Sequence, residues 1–78
     1  MPVEELLAWI ARGLVDEPDA VRVERVEEVD AVVLRLSVAP DDVGKVIGRQ
    51  GRIARALRTI VRASAARRTG RTLLEIVE

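Results

Sequence analysis

The spacing of hydrophobic residues changes several times along this chain, and each change marks an element. From residue 3 to 14, Val3, Leu6, Leu7, Ile10 and Leu14 recur at helical intervals, which predicts an amphipathic helix with one buried face. Pro2 suits the first helical position. Glu4 and Glu5 sit where the positive end of the helix dipole favours carboxylates, and Arg12 falls in the last turn. Asp16-Glu17-Pro18-Asp19 then breaks the helix. The period shortens to two over residues 20–28 and 31–38, predicting two strands. In the second, Val32, Leu34, Leu36 and Val38 share a face, alternating with Val33, Arg35 and Ser37. In the first, Val21 and Val23 alternate but Val26 falls out of phase, which predicts a bulge or a strand end. The short link at Val29-Asp30 predicts an antiparallel hairpin.

Pro40, Asp41 and Asp42 end the second strand and start a short helix over 41–47. Gly48-Arg49-Gln50-Gly51 interrupts it. A longer helix follows over 52–67, with Ile53, Leu57, Ile60 and Ser64 on one face and Ala56 and Val61 flanking it. Gly70 is expected to end that helix, and 72–77 read as a last strand. The order α-β-β-α-α-β makes an α+β fold in which residues 1–78 form one small domain. With 49% apolar residues, almost all aliphatic, the core of so short a chain must be dense, and self-association could supplement it.

Composition narrows the function. Cys and His are absent, which excludes disulfides, Cys/His zinc sites and nucleophile–histidine pairs, so neither catalysis, metal nor cofactor is expected. No apolar run approaches the roughly 18 residues of a membrane span, and no signal-peptide core opens the chain. A soluble, cytoplasmic protein is the expectation. The net charge is zero, yet it is unevenly laid out. Residues 1–42 hold eleven acids and four Arg, a balance of −7. Residues 43–72 hold Lys45 and eight Arg with no acid, a balance of +9, and Glu75 and Glu78 restore zero. That asymmetry points to a localised anion-binding face. On a helical wheel Arg55, Arg58 and Arg62 lie within about 60° of one another, opposite Ile53, Leu57 and Ile60. For Arg58 and Arg62 the simplest reading is a solvated face. Lys45, Arg49 and Arg52 instead cluster about the glycine turn.

A bare Gly-x-x-Gly is a weak pattern, but here it joins a short helix to the start of a longer one and carries basic flanks. Gly48 is expected to take a positive φ, and Gly51 to let another backbone approach closely. Loop amides and the first N–H groups of the next helix can then converge on a phosphate oxygen. Arg49 and Gln50 project outward, and Val46, Ile47 and Ile53 frame the loop. Neither a Walker loop nor a dinucleotide fingerprint fits the spacing of Gly44, Gly48 and Gly51.

The run Val43-Gly44-Lys45-Val46-Ile47-Gly48-Arg49-Gln50-Gly51-Arg52-Ile53 resembles the signature of KH domains, apolar-Ile-Gly-x-x-Gly-x-x-Ile. The element order resembles the type II arrangement, which implies a three-stranded mixed sheet with helices packed on one face. Over the whole chain, including Ala39-Pro40-Asp41-Asp42-Val43-Gly44 and Leu74-Glu75-Ile76-Val77, the sequence is similar to the small stand-alone bacterial KH proteins of the KhpA group. The resemblance implies a cytoplasmic RNA-binding protein and RNA chaperone. It also implies a larger KH-containing partner of the KhpB or Jag group, and a link to cell-envelope and cell-length control. Carried over by position, the loop falls on Gly48, Arg49, Gln50 and Gly51, with the groove wall near Lys45, Ile47, Arg52 and Arg55. Such a groove clamps about four single-stranded nucleotides by their backbone. With no aromatic residue near the loop, stacking on protein rings is minor. One copy should therefore bind weakly, and a homodimer or KH partner should raise the affinity.

Two other readings compete: a protein-interaction module whose partner carries the RNA binding, and a DNA-binding helix-turn-helix over 41–67. The glycines and the closing strand argue against the latter. Trp9 falls off the apolar stripe of the first helix. It is expected to lie over a strand edge or a neighbouring stem, the sharper alternative being a dimer or partner interface.

Overall fold

The structure, a computed structural model, describes residues 1–65 and 70–78. Helix α1 spans Val3–Leu14, strands β1 and β2 span Arg22–Glu27 and Ala31–Ser37, helices α2 and α3 span Val43–Ile47 and Arg52–Ser64, and strand β3 spans Arg71–Ile76. Single 3₁₀ turns occupy Pro18–Ala20, Pro40–Asp42 and Arg49–Gly51. Every expected element is present, in the α-β-β-α-α-β order. Ala20 belongs to the turn before β1 rather than to the strand. Val77 lies past the end of β3 but still donates its N–H to Leu36 O at 2.9 Å. Residues 66 and 67, the expected end of the long helix, lie outside the described residues, as do Arg68 and Thr69.

The strands form one mixed sheet in the order β1-β2-β3, antiparallel between β1 and β2 and parallel between β2 and β3. The hairpin closes over Val29-Asp30 through Glu28 N–H to Ala31 O at 2.8 Å. All three helices cover one face. Leu34, Leu36 and Leu74 pack there with Val3, Leu7 and Ala11 of α1, Val46 of α2, and Leu57 and Val61 of α3. Each fully buried aliphatic side chain contributes about 1.5–3 kcal/mol relative to exposure, so these few residues dominate the stability of so small a domain.

The expected face of α1 is largely kept, and that of α3 is turned. In α1 Val3, Leu7 and Ala11 are buried and Leu6 and Ile10 half-buried, while Leu14 of the stripe is exposed. In α3 the buried positions are Ala54, Leu57 and Val61, with Ala65 just beyond, while Ile60, Ala56 and Ser64 are exposed. The core face of α3 is thus rotated by roughly 75° from the stripe drawn through the large aliphatics. Alanine joins the buried side in both helices, at Ala11 and at Ala54 and Ala65, where a small side chain favours close approach to the sheet.

Strand β1 has no bulge. Its register runs without a break to Glu27 opposite Val32. Val26 looks out of phase because it faces the other way, in a row with Val33 and Leu73 on the side that the helices leave open. Beside it runs an ionic row in which Arg35 bridges Glu24 at 3.3 Å and Glu75 at 2.7 Å. Gly70 does not stop α3, which ends at Ser64. It lies instead immediately before β3, where a Cβ would come within 2.8 Å of Asp30 O.

Candidate nucleic-acid interface

Helix α2 ends because Gly48 leaves helical space, at φ 76° and ψ 170°, with its N–H bonded to Gly44 O at 2.9 Å. A Cβ there would lie 2.7 Å from Ile53 Cγ1 and 2.9 Å from Ile53 N, so Gly48 is fixed by both its dihedral and its neighbour. Gly51 also takes a positive φ, 74°, but nothing lies within 4 Å of where its Cβ would be. The expected division is therefore corrected: the close approach belongs to Gly48, and Gly51 is there for its conformation alone. Between them Gln50 is left-handed as well, at φ 57° and ψ 24°, a conformation that costs a side chain about 1–2 kcal/mol. The turn is closed by Gly51 N–H to Gly48 O at 3.1 Å. Arg49 and Gln50 are exposed at its tip, the first two positions of the turn, whose N–H groups have no carbonyl within the turn to bond.

The turn delivers the chain into α3 with Gly51 as N-cap and no side-chain capping bond. The first turn of α3 contains no acid and begins with Arg52. The positive end of a 13-residue helix thus faces outward beside Arg49 and Arg52, both exposed. Cations at that end oppose the dipole, so the arrangement suits an arriving anion better than it suits the isolated protein. Arg52 Nη2 lies 3.5 Å from Gln50 Oε1, which holds the two side chains near each other. Arg55 is exposed one turn further along, and Ile47 is half-buried at the end of α2.

Lys45 is placed differently from the other expected residues. Its ammonium lies 3.3 Å from Asp16 Oδ2 and 3.3 Å from Asp42 Oδ1. Asp42 is 2% exposed and also accepts the Glu17 N–H at 3.1 Å. Burial pushes the Asp42 carboxyl up, but the Glu17 and Asp16 backbone N–H groups and the Lys45 ammonium together hold it below its ordinary value. Hydrogen bonds from Lys45 to Asp42 and Asp16 raise the lysine above its own. Asp42 stands three residues before Lys45, a spacing at which helical neighbours meet, whereas Asp16 is distant in sequence and no local pattern announces it.

Arg58 and Arg62 are exposed, as a solvated face requires, and the rotation of α3 also sets them beside β3. They line a hollow with Thr72, Leu73 and Leu74 of that strand. Among the described residues β3 is an edge strand of the sheet, and the hollow lies beside it. The Arg side of α3 therefore leads from the glycine turn toward that strand edge. The signal was in the sequence, in Ala54 and Ala65, but only if alanine is counted as part of the buried face. Trp9 is 64% exposed and borders a hollow on α1 with Ile10, Arg12, Gly13 and Leu14.

A family model described as KhpA/KhpB, KH domain, matches residues 4–76. The chain belongs to this family. Among curated KhpA relatives, each named RNA-binding protein KhpA, the chain is 49% identical to that of Caldanaerobacter subterraneus subsp. tengcongensis over 73 residues, covering 94% of this chain and 97% of the relative. It is 48% identical to that of Clostridium acetobutylicum, covering 96% and 100%. With that of Treponema pallidum it shares 53% identity, covering 96% and 94%. The fold is also that of a segment of Aquifex aeolicus Era, in a crystal structure with GDP and AlF4−. The TM-score is 0.55 at 18% identity, over 99% of this chain and 32% of that one. Like its KhpA relatives in length, this chain spans only about a third of Era. Among the described residues, no helix is long and apolar enough to cross a membrane.

Proposed function

We propose that residues 1–78 form a single KH domain that binds short single-stranded RNA, without catalysis, through Gly48, Arg49, Gln50, Gly51, Arg52 and Arg55, with Ile47 as apolar wall. The observation that carries this is the acid-free start of α3, without a side-chain cap and presented by a turn whose tip exposes Arg49 and Gln50. The backbone phosphates would meet this end. The nucleotides would then run along the Arg55–Arg58–Arg62 side toward β3, whose edge would offer N–H and C=O groups to bases. The names of its relatives support RNA as the ligand. Family membership supports a cytoplasmic RNA chaperone acting with a larger KhpB- or Jag-like protein, or as a homodimer, in regulation tied to the cell envelope and cell length.

The test is Arg49→Asp with Gln50→Asp. Asp tolerates left-handed backbone, so the circular dichroism spectrum should be unchanged while affinity for a short RNA falls about a hundredfold. Unchanged affinity, or a preference for duplex DNA, overturns the reading. With about four cationic contacts, log K should fall with log salt at a slope near −3.

The exposure of Trp9 favours a second reading, in which the domain is chiefly a protein-interaction module and its partner carries the RNA binding. Under it, Trp9→Ala abolishes self-association or partner capture, and the purified wild-type protein does not crosslink to RNA.

A further inference from the structure

Three features remain outside the account above: the Val26–Val33–Leu73 row on the open sheet face, the Trp9 hollow, and the cluster of Lys45, Asp16 and Asp42. The cluster has defined geometry. Asp16 and Glu17 lie in the segment between α1 and the turn at Pro18, and Asp42 lies immediately before α2. The buried Asp42 carboxylate takes the Glu17 N–H on Oδ2 and the Lys45 ammonium on Oδ1. The same ammonium reaches back to Asp16. One lysine and one buried carboxylate therefore tie the α1–β1 segment to α2, the helix that ends at Gly48.

The charges around Lys45 make it a poor phosphate ligand. Asp16 and Asp42 both pair with the single Lys45 ammonium, leaving the cluster net negative. A phosphate would have to draw Lys45 away from two carboxylates, one of them nearly without access to water. The α3 side carries Arg52, Arg55, Arg58 and Arg62, with no acid anywhere on the helix. Only that side continues the basic surface of the turn.

Resting on the RNA-binding reading, we infer that Lys45 is a positioning residue and not an RNA ligand. With Asp42 and Asp16 it clasps α2 and so sets the glycine turn, while the carboxylates around it confine the RNA backbone to the α3 side. This revises the groove wall expected from sequence: Lys45 leaves it, and Arg58 and Arg62 join it.

Salt-dependent RNA binding by the full chain tests this, using Lys45→Gln, Lys45→Arg and, as a control, Arg52→Gln, at a temperature where each is folded. Arg52→Gln should flatten the log K against log salt slope by about 0.7, the loss of one phosphate contact. Lys45→Gln should weaken binding about threefold with the slope unchanged, and Lys45→Arg should restore it. A slope that flattens for Lys45→Gln as for Arg52→Gln makes Lys45 a ligand and overturns the inference. So does unmoved affinity with only a lower Tm, which would make the role merely structural. If Lys45→Gln does not fold, Asp16→Asn decides, because Asp16 is largely exposed. Loss of an acid should tighten RNA binding if Lys45 is a restrained ligand, and should fail to do so if Lys45 is a clasp. If Arg52→Gln also leaves the slope untouched, the RNA-binding reading itself fails, whatever Lys45 does.

Discussion

The two long helices begin in opposite ways. Helix α1 places Glu4 and Glu5 in its first turn and Arg12 in its last, so its own side chains answer its dipole at both ends. Helix α3 has no acid in its first turn and starts with Arg52, although neither helix has a side-chain capping bond. Nothing in the fold requires this, since α1 shows that the same chain can supply carboxylates where they stabilise. What differs is the place of each helix. The start of α1 is a structural end, with Glu4 also reaching Arg25 of β1 at 3.5 Å. The start of α3 is presented by a glycine turn beside Arg49 and Arg52, and under the proposed RNA-binding reading the stabilising charge is left for an external anion to bring.

The comparison breaks most severely if the turn itself is lost. Gly48→Ala forces a Cβ onto Ile53 as well as a left-handed alanine. It should cost about 2–4 kcal/mol in urea unfolding and abolish RNA binding, whereas Gly51→Asn, with open space around it, should cost about 1 kcal/mol or less. An intermediate effect should come from making α3 start as α1 does. Arg52→Glu should raise Tm slightly, by answering the dipole, while weakening RNA binding about tenfold. A variant that loses stability along with affinity would show that Arg52 is structural. The smallest effect concerns pH. The folded Asp42 carboxyl lies below its ordinary value, so its contribution is present above the ordinary carboxylate range and is lost as pH falls through the lower folded value. Lys45 is raised, so its contribution holds below the ordinary lysine range and is lost as pH rises through its folded value. Stability against pH should therefore decline at both extremes, and Asp42→Asn should make the acid decline shallower.

Much of this was legible in the sequence, because local chemistry decides it. The bounds of α1 follow from Pro2, Glu4, Glu5 and the Asp16–Asp19 break. The α2–turn–α3 unit follows from Gly48 and Gly51 between two apolar stretches. What was not legible depends on approach distance or on partners distant in sequence. Ala11, Ala54 and Ala65 join the buried side where helices lie close on the sheet, a property of the pair and not of the stripe. Val26 looked irregular until β2 and β3 supplied its row. Which glycine needs space and which needs only its φ depended on where the Ile53 side chain lies. Lys45 begins a basic run and the KH resemblance implies a place for it in the groove wall, yet its ion pairs are with Asp42, three residues back, and with the distant Asp16.

The glycine turn lies within the connection between β2 and β3, two parallel strands that pair side by side. A parallel pair cannot close by a tight turn. It forms only once the intervening chain has folded back across the sheet, which makes it a late and slow contact to assemble. The residues that would hold RNA are thus carried on the segment whose closure completes the sheet. A chain unfinished beyond α3 would have the loop sequence but not the β3 wall of the hollow, and competence to bind should arise in the same kinetic step as the native sheet.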